Sequence, residues 1–192
     1  MTAEGHLLFS VASLIMAHKL QVTPELAQGD WLHLVPGALL GALLPDIDHP
    51  SSLPGRLLRI FSLPISKLCG HRGFTHSLLA WLLLMLSCYQ WIPVVQWPIP
   101  NDLIHAFLLG YLSHLVADML TPSGVPFLWP LPQRFCFPII RGKNSKRSER
   151  FIAIVLTVCA CLLPTGYHFD FYSQVESVIK YIQNQLDIRF PT

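Results

Sequence analysis

Four short stretches of the sequence carry the histidine and carboxylate side chains that could do chemistry. They are His6, residues 45–50 (PDIDHP), residues 71–77 (HRGFTHS) and residues 114–124 (HLVADMLTPSG). Neutral imidazole and carboxylate together suit zinc, manganese or non-haem iron, and no CxxC pair competes as a thiolate site. These residue types therefore predict a divalent metal site, and the number of candidate ligands is large enough for either one or two ions.

The candidate ligands have specific spacings, and each has a second interpretation. The set is His6, Asp46, Asp48, His49, His71, His76, His114 and Asp118. On a helix, His114 and Asp118 project from one face because they are four residues apart, although they could also form a buried hydrogen-bonded pair. Asp46 and Asp48 can point the same way if their backbone is extended, or they could belong to a solvated turn. His49 could bind the metal or hydrogen-bond to these aspartates.

Groups suited to an anion lie among the candidate ligands. Arg72 could hold a phosphate oxygen through its guanidinium. The third apolar helix is predicted to begin near Thr75, where free amides and the helix dipole favour negative charge. Residues 121–124 (TPSG) could add hydroxyl and backbone contacts. The predicted catalytic residues are Arg72, Asp46 and His71.

Five apolar segments must position these side chains. They are residues 7–17, 31–44, 77–97, 103–120 and 151–163, of which only the third and fourth reach the ~20 residues that cross a bilayer. Hydrophobic residues make up 52% of the chain and charged residues 12%, about half the charged share of soluble domains. We therefore predict an all-α, multi-pass helical membrane protein with four to five apolar helices.

The basic residues indicate the orientation of these helices. Ten of the thirteen lysines and arginines lie in residues 45–75 and 121–150, so both stretches are predicted to be cytoplasmic. If successive segments alternate in direction, the four chemistry-bearing stretches meet at the cytoplasmic face.

After residue 164, apolar residues recur at helical spacing and predict an amphipathic C-terminal helix. We accordingly divide the chain into a membrane-embedded domain, 1–164, and a tail, 165–192.

The four stretches together resemble a known family. His6, PDIDHP, GHRGFTHS and HLVADMLTPSG, in this order, are similar to the motifs of the YdjM family of LexA-regulated, membrane-bound, metal-dependent hydrolases. With the apolar segments, the resemblance covers most of the chain. It implies a hydrolase of the bacterial inner membrane that is connected with the DNA-damage (SOS) response.

A weaker likeness concerns the order His, Asp, His, His-x-x-x-Asp, which resembles zinc-dependent phospholipase C and related single-strand nucleases. That likeness implies zinc as the metal, with manganese or iron as alternatives. His6 would serve a neighbouring ion, and a downstream histidine cluster of those enzymes is absent from the sequence, so one or two ions fit. The residues assigned to one ion are Asp46 or Asp48, His71 or His76, His114 and Asp118.

We expect a metal-dependent hydrolase of the inner membrane that uses metal-activated water at the cytoplasmic face to cleave a phosphoester, which could be lipid or lipid-linked. The expected partners are membrane lipids and this substrate. A nucleic-acid partner is not expected, because the basic run 141–147 is explained as a topogenic loop. The alternative is a non-enzymatic membrane protein whose metal is structural or transported. The sequence leaves the oligomeric state open.

Overall fold

The computed structural model describes residues 1–69, 72–95, 98–131, 133–137, 139 and 145–164. Within these ranges the chain is helical, and a single antiparallel bridge between Val125 and Phe135 is the only β-pairing. The α-helices are α1 (Ala3–Lys19), α2 (Pro24–Gln28), α3 (Trp31–Leu43), α4 (Leu53–Leu57), α5 (Arg59–Cys69), α6 (Leu78–Val95), α7 (Asn101–Met119) and α8 (Ser145–Leu162). The all-α prediction is confirmed. The predicted C-terminal helix and the tail 165–192 lie outside the described residues.

The core of the fold is a close pair of parallel helices, α3 and α7. Small residues let their backbones approach, since a Cβ atom added at Gly110 would overlap the carbonyl of Ala38. Gly41 meets the carbonyl of Phe107 in the same way. Residues further along α3 contact residues further along α7, so the two helices run in the same direction and their C-terminal ends lie side by side.

Helix α1 packs antiparallel across this pair and brings its N-terminal end to the same place. The Ser10 hydroxyl donates to the carbonyl of Ala38 at 3.0 Å, and Leu14 is buried with Leu34 in the apolar core. Helix α8 covers the other side of α1, where the Thr2 hydroxyl donates to the buried carboxylate of Glu149 at 2.6 Å. The start of α1 therefore meets the ends of α3 and α7.

Helix α6 begins slightly later than the sequence predicts. A 3-10 turn, Phe74–His76, precedes it, and the Ser77 hydroxyl accepts a hydrogen bond from Ala80 N at 3.2 Å. Ser77 therefore caps α6, whereas the Thr75 hydroxyl donates to Asp48. The expected anion site at a Thr75 cap is not formed, because that hydroxyl is committed elsewhere.

The outer faces of α3, α6 and α8 carry exposed apolar side chains, among them Leu40, Leu83 and Ile154. In the part of the chain that the structure describes, no helix combines the length and hydropathy needed to cross a membrane. Multiple membrane crossings stay a prediction.

The basic stretch between α3 and α6, expected as a loop, contains two short helices. A 3-10 turn, Leu44–Asp48, follows α3, and α4 begins after Ser52, whose hydroxyl accepts from Gly55 N at 3.0 Å. Proline in the first turn of α4 suits a helix start because its missing N–H would have no partner there.

Candidate metal centre

Two helix ends and two 3-10 turns bring the candidate ligands together. His6 lies on the first turns of α1, and Asp46 lies in the 3-10 turn that follows α3. His76 ends the 3-10 turn before α6, and His114 and Asp118 lie on the last turns of α7. The convergence expected from alternating segments is thus present in the fold, and it results from the packing of α1, α3 and α7.

Four of these side chains, three buried and one partly exposed, form a compact group that we call the four-residue cluster: Asp46, His76, His114 and Asp118. The Nε2 atoms of His76 and His114 are 3.2 Å apart. Asp46 Oδ1 lies 3.7 Å from each of these nitrogens. Asp118 Oδ2 lies 3.7 Å from His76 Nε2 and 3.9 Å from His114 Nε2.

Three of these residues, Asp46, His76 and His114, have ligand atoms that all lie within 4.8 Å of one another, as around one small cation. A tetrahedral zinc ion with nitrogen and oxygen ligands at about 2.1 Å separates neighbouring ligand atoms by about 3.4 Å. In addition, Asp118 Oδ2 is buried and has no hydrogen-bond partner among the described residues. A buried carboxylate oxygen without a donor is costly, and a cation inside the four-residue cluster would satisfy it. The residues present therefore fit a divalent metal ion.

Each histidine of the cluster has an acceptor oxygen at its Nδ1 atom, on the side of the ring away from the cluster. His114 Nδ1 is 2.6 Å from the carbonyl oxygen of Ala42, and His76 Nδ1 is 3.2 Å from Asp48 Oδ2. An acceptor at Nδ1 assigns the proton there and leaves the lone pair on Nε2 facing the cluster. Such partners orient histidine ligands and raise their basicity in metal proteins.

Asp48 therefore occupies a different position from the one predicted. It was predicted as a ligand, but its Oδ2 is directed to the far side of His76. There it accepts from Thr75 Oγ1 at 2.8 Å and from the backbone N–H of Arg72 at 2.9 Å. These donors fix the buried carboxylate, which in turn orients the His76 ring.

His6 adjoins the four-residue cluster at the second oxygen of Asp118. Its Nε2 lies 3.3 Å from Asp118 Oδ1, and its ring stacks on His114 with centroids 3.6 Å apart. His6, His114 and Asp118 form a second group with ligand atoms within 4.8 Å of one another. Asp118 thus lies between His6 and the other cluster residues, and a second ion held by His6 stays a prediction.

The Arg72 guanidinium lies at the edge of the cluster. It donates to Asp118 Oδ1 at 3.0 Å and to the hydroxyl of Thr121 at 3.4 Å, and it also contacts the Ser123 hydroxyl. The amino group of Met1 lies 2.6 Å from the same Asp118 oxygen. Arg72 and the 121–124 stretch, predicted together as anion-binding groups, are thus neighbours.

Charge complementarity shifts the pKa values of two groups in the turns. Burial alone would raise the pKa of Asp46, but the neighbouring His76 and the other nearby imidazoles hold it well below its usual range. Burial opposes protonation of His76, yet its hydrogen bonds to Asp46 and Asp48 raise the pKa of His76 to about 9. The clustered carboxylates thus create a strong preference for positive charge at this point.

His49 does not join the cluster. His49 Nδ1 contacts the Ser51 hydroxyl at 2.8 Å, and His49 belongs to neither ligand group. His71 lies outside the described residues. The sequence-based reasoning missed the Ala42 carbonyl and the hydroxyl of Thr75 as supports for the histidines. No sequence pattern marks the Ala42 carbonyl, whereas the position of Thr75 next to His76 was a usable signal.

These features define a class: an all-helical protein with a buried histidine and aspartate cluster at the ends of three packed helices. The chain belongs to the YdjM inner membrane protein family, whose model matches residues 1–172. This membership supports a location at the inner membrane.

Individual relatives agree with that assignment. The chain is 52% identical to "Inner membrane protein YdjM" of Escherichia coli (strain K12) over 164 residues, which cover 85% of this chain and 83% of the relative. The protein of the same name in Shigella flexneri gives the same values. "Uncharacterized protein YvsG" of Bacillus subtilis (strain 168) is 31% identical over 84% of this chain and 92% of its own length. No solved structure matches the chain.

Proposed function

We propose that this chain is a metal-dependent hydrolase that cleaves a phosphoester bond at the cytoplasmic face of the inner membrane. The observation that supports this proposal most strongly is the pair of ligand groups that share His114, one with Asp46 and His76 and the other with His6 and Asp118, together with the buried Asp118 oxygen that has no hydrogen-bond partner among the described residues. Two imidazoles and two carboxylates form a ligand set used by hydrolytic zinc enzymes and also accepted by manganese and iron.

The proposed metal ligands are Asp46, His76, His114 and Asp118, with His6 as the ligand of an adjoining second ion. When bound, the ion would supply Lewis acidity at the phosphoryl oxygens and a lower pKa for water at the site. Zinc is our first choice; three of these four side chains would hold it and leave its fourth position open for water, as in hydrolytic zinc sites.

Arg72 has the proposed role of binding the phosphoester. Its guanidinium is paired with Asp118 and also contacts the hydroxyls of Thr121 and Ser123, so an incoming phosphoryl group could replace the two neutral hydroxyl contacts with a charge-assisted pair. The side chain of Arg72 is 15% exposed, so a substrate can reach it. Developing negative charge would be stabilised there.

Asp46 has the proposed role of orienting water toward the phosphorus. Its side chain is 21% exposed, whereas His76, His114 and Asp118 are almost fully buried. Asp46 is therefore the member of the cluster that faces an approaching molecule, and its low pKa keeps it an acceptor at neutral pH.

The membrane setting limits the substrates that we propose. Multiple crossings and a cytoplasmic site follow from the distribution of lysine and arginine in the sequence. A site at a membrane surface is accessible to lipid or lipid-linked phosphoesters, which we propose as the substrate class.

The test combines metal content with turnover. The full chain, purified in mild detergent without chelator, is assayed on a phosphomonoester, a phosphodiester and a phospholipid. We expect His114→Ala and Asp118→Asn to lose metal and activity together. The matched control is His33→Ala, because His33 forms a histidine–aspartate pair with Asp102 at 3.1 Å outside the cluster. Stoichiometric metal without turnover on the whole panel would overturn the hydrolase proposal and leave a structural or transported ion.

A further inference from the structure

The segment formed by α4 and α5, residues 53–69, exposes apolar side chains of residues 53–63. Leu57 is 86% exposed, Ile60 84% and Phe61 60%. Ser62, in contrast, is completely buried. A surface helix in water has the opposite arrangement, with its apolar stripe against the core.

This segment is fixed to the body of the protein at the metal centre. Both helices pack on the 3-10 turn that carries Asp46 and Asp48. The Ser52 hydroxyl donates to the carbonyls of Asp46 at 2.6 Å and His49 at 2.7 Å, and a Cβ atom at Gly55 would overlap the His49 carbonyl. The apolar side chains are therefore held facing away from the protein by the same turn that positions Asp46.

Basic residues accompany this apolar surface. Arg56, Arg59 and Lys67 are exposed, and residues 51–69 contain no aspartate or glutamate. A helix with an outward apolar face and flanking arginine or lysine is suited to the boundary between headgroups and acyl chains of an anionic bilayer.

We propose that residues 53–69 form an interfacial anchor that lies in the headgroup layer of an anionic membrane. Leu57, Ile60 and Phe61 enter the acyl boundary, and Arg56 and Arg59 contact lipid phosphates. This inference rests on the inner-membrane family and the exposed surface, and it does not depend on the proposed reaction. It places the metal centre at headgroup depth, because the anchor and Asp46 share one turn.

A second copy of the chain is a poorer occupant of this surface. In a two-fold dimer the same patch faces itself. Such a contact would bring Arg56, Arg59 and Lys67 of both copies together with no acidic residue in the segment to compensate. An anionic bilayer supplies the opposite charge directly.

Depth-dependent fluorescence quenching tests the anchor in the full chain. A single cysteine is placed at Ile60 in a background with the five native cysteines replaced by serine, labelled with an environment-sensitive dye, and reconstituted into vesicles containing phosphatidylglycerol. We expect strong quenching by a lipid nitroxide near the headgroup and weak quenching by iodide. The control position is Gln28, an exposed polar residue of α2, where iodide should quench strongly. Iodide quenching at Ile60 equal to that at Gln28, or protection from both quenchers, would overturn the proposal.

The unmodified chain gives an independent readout if the cysteine-free background folds poorly. Trypsin cleavage after Arg56 and Arg59 should be slower in nanodiscs of phosphatidylglycerol than of phosphatidylcholine, by about fivefold for each basic residue that contacts anionic lipid. Equal cleavage rates in the two lipids would contradict an anionic anchor. Neither measurement depends on phosphoester hydrolysis by the protein, so failure of the proposed enzyme activity would not be mistaken for failure of the anchor.

Discussion

The Nε2 atoms of His76 and His114 face each other at 3.2 Å in the interior of the protein, although 38 residues separate them in the sequence. Each ring is held at Nδ1 by an acceptor, so in the neutral form of each ring the Nε2 atom carries the lone pair. Two lone pairs directed at one point repel each other unless a proton or a metal ion lies between them. This relationship underlies the predictions that follow.

Asp48 is expected to control metal affinity through His76. Asp48→Asn keeps the size of the side chain but removes the charge that orients the ring, so zinc affinity should fall by about 10–100-fold. A competition titration with a chromophoric chelator measures this change. Asp102→Asn, which alters the histidine–aspartate pair with His33, is the control and should bind zinc as the unmodified chain does. Unchanged affinity in Asp48→Asn would show that the carboxylate does not position His76.

Arg72 is expected to act on turnover without holding the metal. In Arg72→Gln, kcat/KM should fall by about 100-fold on a phosphoester, while metal content stays that of the unmodified chain. Its backbone N–H still donates to Asp48, so the cluster should persist. The control is Arg134→Gln, since Arg134 contacts the Ser123 carbonyl from an exposed position. Loss of metal in Arg72→Gln would contradict this role and mean that Arg72 holds the ligand Asp118 in position.

Gly110→Ala should destabilise the fold by separating α3 from α7. The added methyl group would overlap the Ala38 carbonyl, and overpacking of this kind costs about 1–3 kcal/mol. Thermal unfolding in detergent gives the change, and Leu40→Ala serves as a control because Leu40 is exposed on α3. A melting temperature equal to that of the unmodified chain would mean that the helices separate without cost.

Metal binding should release protons. The pKa of His76 is raised to about 9, so the ring holds a proton at pH 7 that must leave before Nε2 can bind a cation. Metal affinity should therefore increase as the pH rises from 6 toward 9, with the release of about one proton at neutral pH. Calorimetry of zinc binding in buffers of different ionisation enthalpy measures this number. A binding enthalpy that does not vary with the buffer would contradict the prediction.

Sequence reasoning located the helices and most of the cluster. Apolar segments marked α1, α3, α6, α7 and α8, and the spacing of four placed His114 and Asp118 on one helical face. Alternation of the segments then predicted that His6, the aspartates after α3 and His76 would meet them. Those inferences needed only periodicity and direction, which a single sequence contains.

The roles of Asp46 and Asp48 could not be assigned from the sequence. An extended backbone was expected, which would point both carboxylates the same way. The structure has a 3-10 turn instead. In such a turn, two residues that are two positions apart are rotated by about 240° around the helix axis, so their side chains point in different directions. Asp46 therefore enters the four-residue cluster while Asp48 supports His76. No sequence pattern marks the backbone carbonyl of Ala42. The proposed anchor, residues 53–69, was also missed, because its apolar residues are too few for a membrane span.

Elemental analysis with X-ray absorption of the gently purified full chain tests the four-residue cluster most directly. We predict at least one equivalent of a divalent metal, nitrogen and oxygen neighbours at about 2.0–2.2 Å, and loss of the ion in His114→Ala. An ion-free preparation, or a sulfur neighbour at about 2.3 Å that would place the ion on cysteine, would contradict a metal centre built from Asp46, His76, His114 and Asp118.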